Sequence, residues 1–314
     1  MKKFLKELAL FGIILSLVYP ILVFIWFQFI NPKFGLSALW PYSHYAYSRL
    51  DLQKNSFDSL DYMVLGSSHA YCSINPAYFE EEKIKMYNLG SAIQSPYFSK
   101  WMIETYFPIM KPKIVILEVF AISTLSKSPE AAIDFAFNHP FNHLTEQFKF
   151  LTENFYLRIF NGLCYNFFAS YFNLFHLKTP SENKFIKGYS ASNKIFKISK
   201  KNYPDRMLEI YPSYIQELND LIEIITHKYK KKLILVYAPI PHKIYKTLKN
   251  HDEYIQILMK FSQKYQIPFY NFNLMPQFDD DKHFYDDYGH LNLEGGNIFN
   301  QMLIDSLKKD GFIP

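Results

Sequence analysis

Two neighbouring serines after a glycine are the first residues here whose types and spacing suggest chemistry. The motif Gly66-Ser67-Ser68-His69 directly follows the apolar run Asp61–Leu65. A serine on a tight turn between a strand and a helix is presented at the end of the strand, and the amides that open the helix can stabilise an oxyanion. The motif is therefore a candidate for acyl transfer, although most Gly-Ser-Ser turns are not catalytic.

Two further polar motifs offer partners for such a serine. Asn88-Leu89-Gly90-Ser91 ends the apolar run Lys85–Leu89, and Gly90, lacking a Cβ, lets its backbone N–H approach a ligand. Near the C-terminus, Asp287 and His290 lie three residues apart. At this spacing the carboxylate can orient the imidazole, and the imidazole can face a serine. A lone loop histidine is more often structural, so the prediction depends on all the motifs together.

Alternating apolar runs and helical patterns must position these motifs. Five runs predict strands: Asp61–Leu65, Lys85–Leu89, Lys113–Val119, Lys232–Ala238 and Ile267–Asn271. Four segments predict helices: Tyr97–Met110, Ser213–Lys230, Asp252–Tyr265 and Leu293–Lys309. The alternation predicts an α/β fold with a doubly wound parallel sheet. Because sites in such sheets form beyond the carboxyl ends of the strands, we expect the motifs to meet at one edge.

With these motifs in this order, the sequence resembles the SGNH/GDSL esterase superfamily, whose sheet is flavodoxin-like. The first block of that family, usually Gly-Asp-Ser, corresponds to Gly66-Ser67-Ser68, which makes Ser68 the nucleophile. Gly90 corresponds to the glycine of the second block, and Asp287 and His290 correspond to the final Asp-x-x-His block. The resemblance covers roughly residues 60–120 and 230–310.

The resemblance implies a mechanism without a metal or an organic cofactor. Ser68 attacks an acyl carbonyl, His290 takes the proton and Asp287 fixes the imidazole. The backbone amides of Ser68 and Gly90 hold the oxyanion.

The sequence departs from the family pattern in two places. Ser67 replaces the usual aspartate, and the Gly-x-Asn-Asp of the third block is absent, because the third strand ends Ile116-Leu117-Glu118-Val119-Phe120. The missing asparagine would be an oxyanion donor, and losing one such donor typically costs about 10²–10³ in rate. Glu118, His69 and Asn88 are expected to contact substrate; for Glu118 a structural carboxylate is an equal alternative.

The N-terminus predicts a membrane anchor. Leu8–Ile30 contains 23 residues without a charge and follows the basic segment Met1–Glu7. At about 1.5 Å per residue it spans about 34 Å, enough to cross a hydrocarbon core of about 30 Å. We favour an uncleaved anchor over a removed signal because no small-x-small cleavage site follows. The lysines before it place that end in the cytoplasm and the rest of the chain outside, on the inner or plasma membrane.

The predicted domains are an anchor over residues 1–30, a linker over 31–60, and the SGNH-like domain over 61–314. An insertion at about 123–205 separates the third and fourth strands and is crowded with aromatic residues. It is either an extra helical layer packed on the core, which is the usual role of aromatic stripes, or a lid, groove or membrane-facing patch.

Composition narrows the class of protein. The formal net charge of +5 comes from scattered lysines, which predicts no nucleic-acid partner. The two cysteines, Cys72 and Cys164, exclude a disulfide framework and a cysteine-rich metal site, and we expect two separate buried thiols rather than a pair.

An anchor before a Gly-Ser-Ser domain resembles the envelope-modifying branch of the superfamily, which includes the D-alanyl transfer and the alginate and peptidoglycan O-acetylation proteins. The resemblance implies an O-acyltransferase or esterase that acts on cell-envelope polysaccharide. Its partners would be an envelope glycan or acyl donor and a membrane-bound O-acyltransferase. The alternative is a non-catalytic SGNH-like protein that binds glycan or docks on such an acyltransferase.

Overall fold

The computed structural model describes residues 1–30, 59–126, 128–138, 144–154, 157–172, 187–190, 192–195, 202–285 and 289–314. Within these ranges the chain divides into two compact units. A helical unit comprises residues 1–53 and 132–181, and a sheet domain comprises residues 54–131 and 182–314. Most of the predicted linker, residues 31–58, lies outside the described residues.

The sheet domain contains five parallel strands in the order β2-β1-β3-β4-β5. They are β1 Tyr62–Leu65, β2 Met86–Asn88, β3 Ile114–Glu118, β4 Lys232–Tyr237 and β5 Phe269–Asn271. The order is that of flavodoxin-like folds. It confirms the predicted doubly wound sheet, and each strand falls inside its predicted run. The middle strands are apolar except at Glu118, the last residue of β3, and Lys232, the first residue of β4, because both faces of the sheet are covered.

The described helices of the sheet domain flank these strands. They are α2 Ser68–Ser73, α3 Pro76–Glu81, α4 Pro96–Met110, α5 Ala121–Thr124, α9 Pro212–Glu223, α10 His242–Tyr245, α11 His251–Tyr265 and α12 Leu293–Lys309. α4 packs against α9, whereas α12 packs against α2 and α3. Proline at the first turn of α4 and of α9 suits a helix start, since its missing N–H would have no partner there.

The helical unit is built on the N-terminal helix. α1 covers Lys2–Ile25 and continues as a π-helical turn, Trp26–Ile30. It is the one described helix that is long and apolar enough to cross a membrane by length and composition, since its most apolar stretch of 18 residues has a mean hydropathy of 2.7. The insertion is helical, as predicted, with α6 Pro129–Asn138, α7 Leu144–Glu153 and α8 Leu157–Tyr171.

Only part of the insertion belongs to the sheet domain, whereas a single domain over residues 61–314 was expected. Residues 132–181 form one unit with α1, while residues 182–314 belong with the sheet. Within the helical unit, α8 packs against α1.

Candidate active site

The turn after β1 presents Ser68 at the carboxyl edge of the sheet. Gly66 has φ +138°, a conformation that L side chains rarely adopt, and a Cβ there would lie 2.7 Å from the Cβ of Glu118. Ser67 caps α2: its side chain accepts a hydrogen bond from the His69 N–H. Ser68 is therefore the first residue of α2, and its hydroxyl lies on the side of the sheet where ligand sites form.

His290 reaches the same edge from the loop before α12. An antiparallel bridge between Phe284 and Leu291 closes this loop, and the Tyr285 N–H donates to the His290 carbonyl at 3.0 Å. The imidazole Nε2 lies 2.7 Å from the Ser68 Oγ, although 222 residues separate the two in sequence. This is hydrogen-bond distance between a nucleophile and its general base.

The imidazole of His290 is held between other rings. It is 8% exposed, and the Tyr285 ring stacks on it with centroids 5.5 Å apart. The predicted acid, Asp287, lies outside the described residues. The structure thus brings together two of the three predicted catalytic residues, and the role of Asp287 stays a prediction.

Ser67 has a different partner from Ser68. Its hydroxyl donates to Oε2 of Glu118 at 2.8 Å, and its N–H points to the same oxygen at 3.3 Å. Burial raises the pKa of Glu118 to about 8, and the hydrogen bonds from Ser67 offset only part of that rise. The carboxyl group is thus protonated in the folded protein at neutral pH, and it fixes the residue before the nucleophile. The geometry supports the structural alternative for Glu118 over contact with substrate.

Asn88 and Gly90 also differ from expectation. The Asn88 amide nitrogen donates to the carbonyls of Ala70 and Ile74, both at 2.9 Å, and its oxygen accepts the Gly90 N–H at 2.9 Å. With 2% exposure, Asn88 braces the turn instead of contacting substrate. The Gly90 amide is engaged by Asn88, so it is not poised as an oxyanion donor in this arrangement.

His69 was expected to contact substrate, but it is only 1% exposed. Its ring stacks on Phe120 with centroids 3.8 Å apart, and its centroid lies 4.6 Å from that of His290. Burial leaves His69 no surface for a substrate. Its ring packs beside the His290 imidazole and restricts how far that imidazole can move.

The remaining oxyanion donor is the Ser68 N–H. It lies in the first turn of α2, and it makes no hydrogen bond to any residue that the structure describes. The third strand contributes no asparagine at this edge: after Glu118, the Val119 N–H donates to the Val236 carbonyl within the sheet. The site can therefore activate a serine, with one amide available for the developing charge.

Sequence reasoning missed three residues that support the base. Phe120 backs His69, and Tyr285 stacks on His290. Asn292 caps α12 by accepting the Gly295 N–H at 3.0 Å, two residues after His290. An Asn before a helical pattern is a recognisable cap signal, but nothing in the sequence pairs either aromatic ring with a histidine.

Comparison with known proteins gives distant likenesses. No protein-family model and no curated protein matches the chain. A solved protein assigned as an acylhydrolase from Bacteroides fragilis is similar at 12% identity and a TM-score of 0.41, over 82% of this chain and 93% of that one. A GDSL-like lipase from Bacteroides thetaiotaomicron is similar at 11% identity and a TM-score of 0.42, over 85% of this chain and 98% of that one. Likenesses at this level cannot support a function, which has to be argued from the geometry of the site.

Proposed function

We propose that the sheet domain is a serine-dependent acyl-ester enzyme of the SGNH/GDSL type. The observation that carries this proposal is the 2.7 Å contact between Ser68 Oγ and His290 Nε2 at the carboxyl edge of the sheet. A hydroxyl at this distance from an imidazole can lose its proton as it attacks a carbonyl. The glycine turn that presents Ser68 and the ring packing that holds His290 both serve that contact.

The reaction would proceed in two steps. In the first, Ser68 Oγ attacks the acyl carbonyl while His290 accepts its proton, and the Ser68 N–H stabilises the oxyanion. Collapse of the tetrahedral intermediate leaves an acyl-enzyme and returns the proton to the leaving oxygen. In the second step, His290 deprotonates a water or a sugar hydroxyl that takes the acyl group. Asp287 would orient the imidazole.

The substrate class is proposed from the anchor. The helix that begins at Lys2 would hold the protein at the inner or plasma membrane, with the sheet domain on the outer side because the lysines precede the span. A serine acyl enzyme in that place would act on an ester of cell-envelope polysaccharide, by transfer or by hydrolysis. A membrane-bound O-acyltransferase is the partner that would supply an acyl group there.

An ester assay on the full-length protein in detergent tests the chemistry. The wild type is expected to release p-nitrophenol from p-nitrophenyl acetate. Ser68→Ala abolishes this turnover, and His290→Ala lowers it by about 10²–10⁴, the usual contribution of a general base. Added oligosaccharide acceptors that gain acetyl groups would indicate transfer. Equal rates for the wild type and Ser68→Ala would reject an enzymatic role for this serine.

One observation favours a second function, that of a non-catalytic partner. The Gly90 N–H is engaged by Asn88, and the third-block asparagine of the family is absent, so the Ser68 N–H is left as the one candidate donor among the three that the family pattern would offer. A site with one donor suits glycan binding or docking on a membrane-bound acyltransferase. Binding of an envelope glycan that is unchanged in Ser68→Ala, without turnover in the wild type, would support it.

A further inference from the structure

A groove of about 650 Å³ lies in the helical unit, between α1 and the insertion helices. Its lining comes from the middle of α1, from α7 and from α8, all within the one unit. Its walls include Leu17 and Ile21 of α1, Phe148 and Leu151 of α7, and Leu163 and Cys164 of α8. The volume is in the range of pockets that hold a small ligand.

Contacts between α1 and α8 fix one wall of the groove. The Phe24 ring lies 5.4 Å from the Phe168 ring and 6.1 Å from the Tyr165 ring, measured between centroids. The Tyr19 hydroxyl donates to Asn161 Oδ1 at 2.7 Å. An interhelical hydrogen bond among apolar side chains is a common device for pairing helices in a membrane. α8 is thus a fixed partner of the anchor helix.

The chemistry of the lining selects an apolar occupant. Of the twelve described residues that line the groove, Ser16 and Gln147 are polar and none is charged. The Ser16 hydroxyl is already used, since it donates to the Ile13 carbonyl at 2.8 Å. A ligand with a charged group would find no partner for that charge in this lining.

The position along α1 identifies the source of that occupant. Ser16 lies about 12 Å from Leu8 along the helix, and Ile21 lies about 14 Å from Ile30, at 1.5 Å per residue. The groove is therefore at the centre of the uncharged segment, where a membrane consists of lipid tails. Side chains on both walls continue its apolar surface outward: Leu17 is 65% exposed and Phe148 is 68% exposed.

We propose that this groove binds one acyl tail of a bilayer phospholipid. The inference rests on the membrane anchoring proposed above, but not on the chemistry of Ser68. Binding a tail would pack it against the exposed side chains of Leu17 and Phe148, with van der Waals contact as the source of the attraction. The insertion would then be a lipid-binding part of the anchor.

Native mass spectrometry of the full-length protein tests the groove. After release from nanodiscs of dioleoyl phosphatidylglycerol, the wild type is expected to retain one phospholipid. Cys164→Trp, which fills the groove, should lose it, whereas Leu10→Trp on the exposed part of α1 should keep it. Wild type without a bound lipid, or Cys164→Trp with as much as the wild type, would overturn the proposal.

A photoreactive phospholipid with a diazirine in its tail provides a second readout that needs no variant. Crosslinks are expected on peptides with Phe148, Leu151 and Leu163, above the level on exposed Leu10. Crosslinks confined to the Leu10 side, or crosslinks between two copies of the chain through α8, would contradict lipid binding. Resistance of the protein to carbonate extraction measures membrane anchoring, and ester turnover measures the activity proposed for Ser68. A loss of either property can therefore be distinguished from a failure of the groove to bind lipid.

Discussion

Ser67 and Ser68 are neighbours in sequence, but they have different hydrogen-bond partners. Ser68 faces the imidazole of His290 at 2.7 Å, whereas Ser67 donates to the carboxyl of Glu118 and caps α2. A serine beside a base can become a nucleophile, while a serine whose hydroxyl is given to a buried carboxyl is held in place. Two adjacent serines thus have different environments: Ser68 faces an imidazole, and Ser67 supports the turn.

The titration of Glu118 gives a prediction for stability. The folded protein keeps this proton up to about pH 8, whereas the unfolded chain loses it near 4.5. The stabilisation from this group is therefore complete below about pH 4.5 and is lost as the pH rises through about 8. We expect Glu118→Gln to remove up to about 1.4 kcal/mol per pH unit of this dependence between pH 6 and 8. Denaturant unfolding of the full-length protein at several pH values measures it.

The control for this experiment is Glu209→Gln, since Glu209 is exposed. It should leave the pH dependence of unfolding as it is in the wild type. If Glu118→Gln and the wild type show the same slope, Glu118 is already ionised in the folded protein. The account of a neutral carboxyl behind Ser67 would then be wrong.

At the residue scale, the sequence predicted the reactive pair but not its supports. Ser68 and His290 could be found because each follows or precedes a recognisable element and belongs to a known block pattern. Polar side chains such as those of Asn88, His69 and Glu118 often bind substrate, so the sequence alone suggested that role. The fold shows that all three are buried. Hydrogen bonds such as that from Asn88 to Ile74 depend on packing between elements, which a single sequence does not encode locally.

At the scale of elements, the start of α12 positions the base. Asn292 accepts the Gly295 N–H with its side-chain oxygen and donates to the Lys282 carbonyl with its side-chain nitrogen. Gly295 packs so closely on the His283 carbonyl that a Cβ would lie 2.3 Å from it. Asn292 therefore holds the start of α12 against the preceding loop. His290 lies two residues before Asn292, so the same contacts help to fix its position.

Substitutions of Asn292 separate its role as a helix cap from its role as a donor to the preceding loop. Asn292→Ala should destabilise the sheet domain by about 1–2 kcal/mol and slow ester turnover, because the cap and the loop contact are both lost. Asn292→Ser keeps a side-chain oxygen that can accept from Gly295 but loses the donor to Lys282, so it should retain more stability than the alanine variant. Thermal unfolding and turnover, measured together, test this. Wild-type behaviour of Asn292→Ala would remove Asn292 from the account.

Element boundaries show what the sequence could and could not predict. The helix predicted at Leu293–Lys309 has those bounds in the structure, because its cap and its apolar spacing agree. The helix predicted at Ser213–Lys230 instead changes to a π-helical turn at Ile224–Lys228, which side-chain spacing does not reveal. β5 is shorter than its run, Ile267–Asn271, since it pairs only with β4 at the edge of the sheet.

At the scale of the whole molecule, the insertion divides between the two units. Residues 132–181 group with α1, but the residues that follow belong to the sheet domain. There the Lys187 carbonyl accepts the Asn88 N–H at 3.0 Å, and the Ser192 carbonyl accepts the Leu293 N–H at 2.8 Å. In the sequence these residues form one long aromatic insertion. Its division between the units could not be predicted, because it depends on tertiary contacts that each segment makes with residues far away in the chain.

Two deletions test this division. Replacing residues 132–181 with a flexible linker should leave the fold of the sheet domain and its ester turnover within about twofold of the wild type. Extending the deletion to residue 204 should unfold or inactivate the domain, because it removes the backbone partners of Asn88 and Leu293. Circular dichroism and turnover measure both. Equal damage from the two deletions would show that the helical part is needed for the sheet to fold.

Fluorophosphonate labelling with peptide mapping tests the central claim most directly, namely that His290 activates Ser68. A serine activated by an imidazole reacts with this probe, and ordinary serines do not. The adduct is expected on Ser68; it should be lost in Ser68→Ala, strongly reduced in His290→Ala and largely kept in Ser67→Ala. A missing oxyanion donor slows turnover without preventing the adduct. A folded wild type that never labels, or one that labels at Ser67, would contradict the claim.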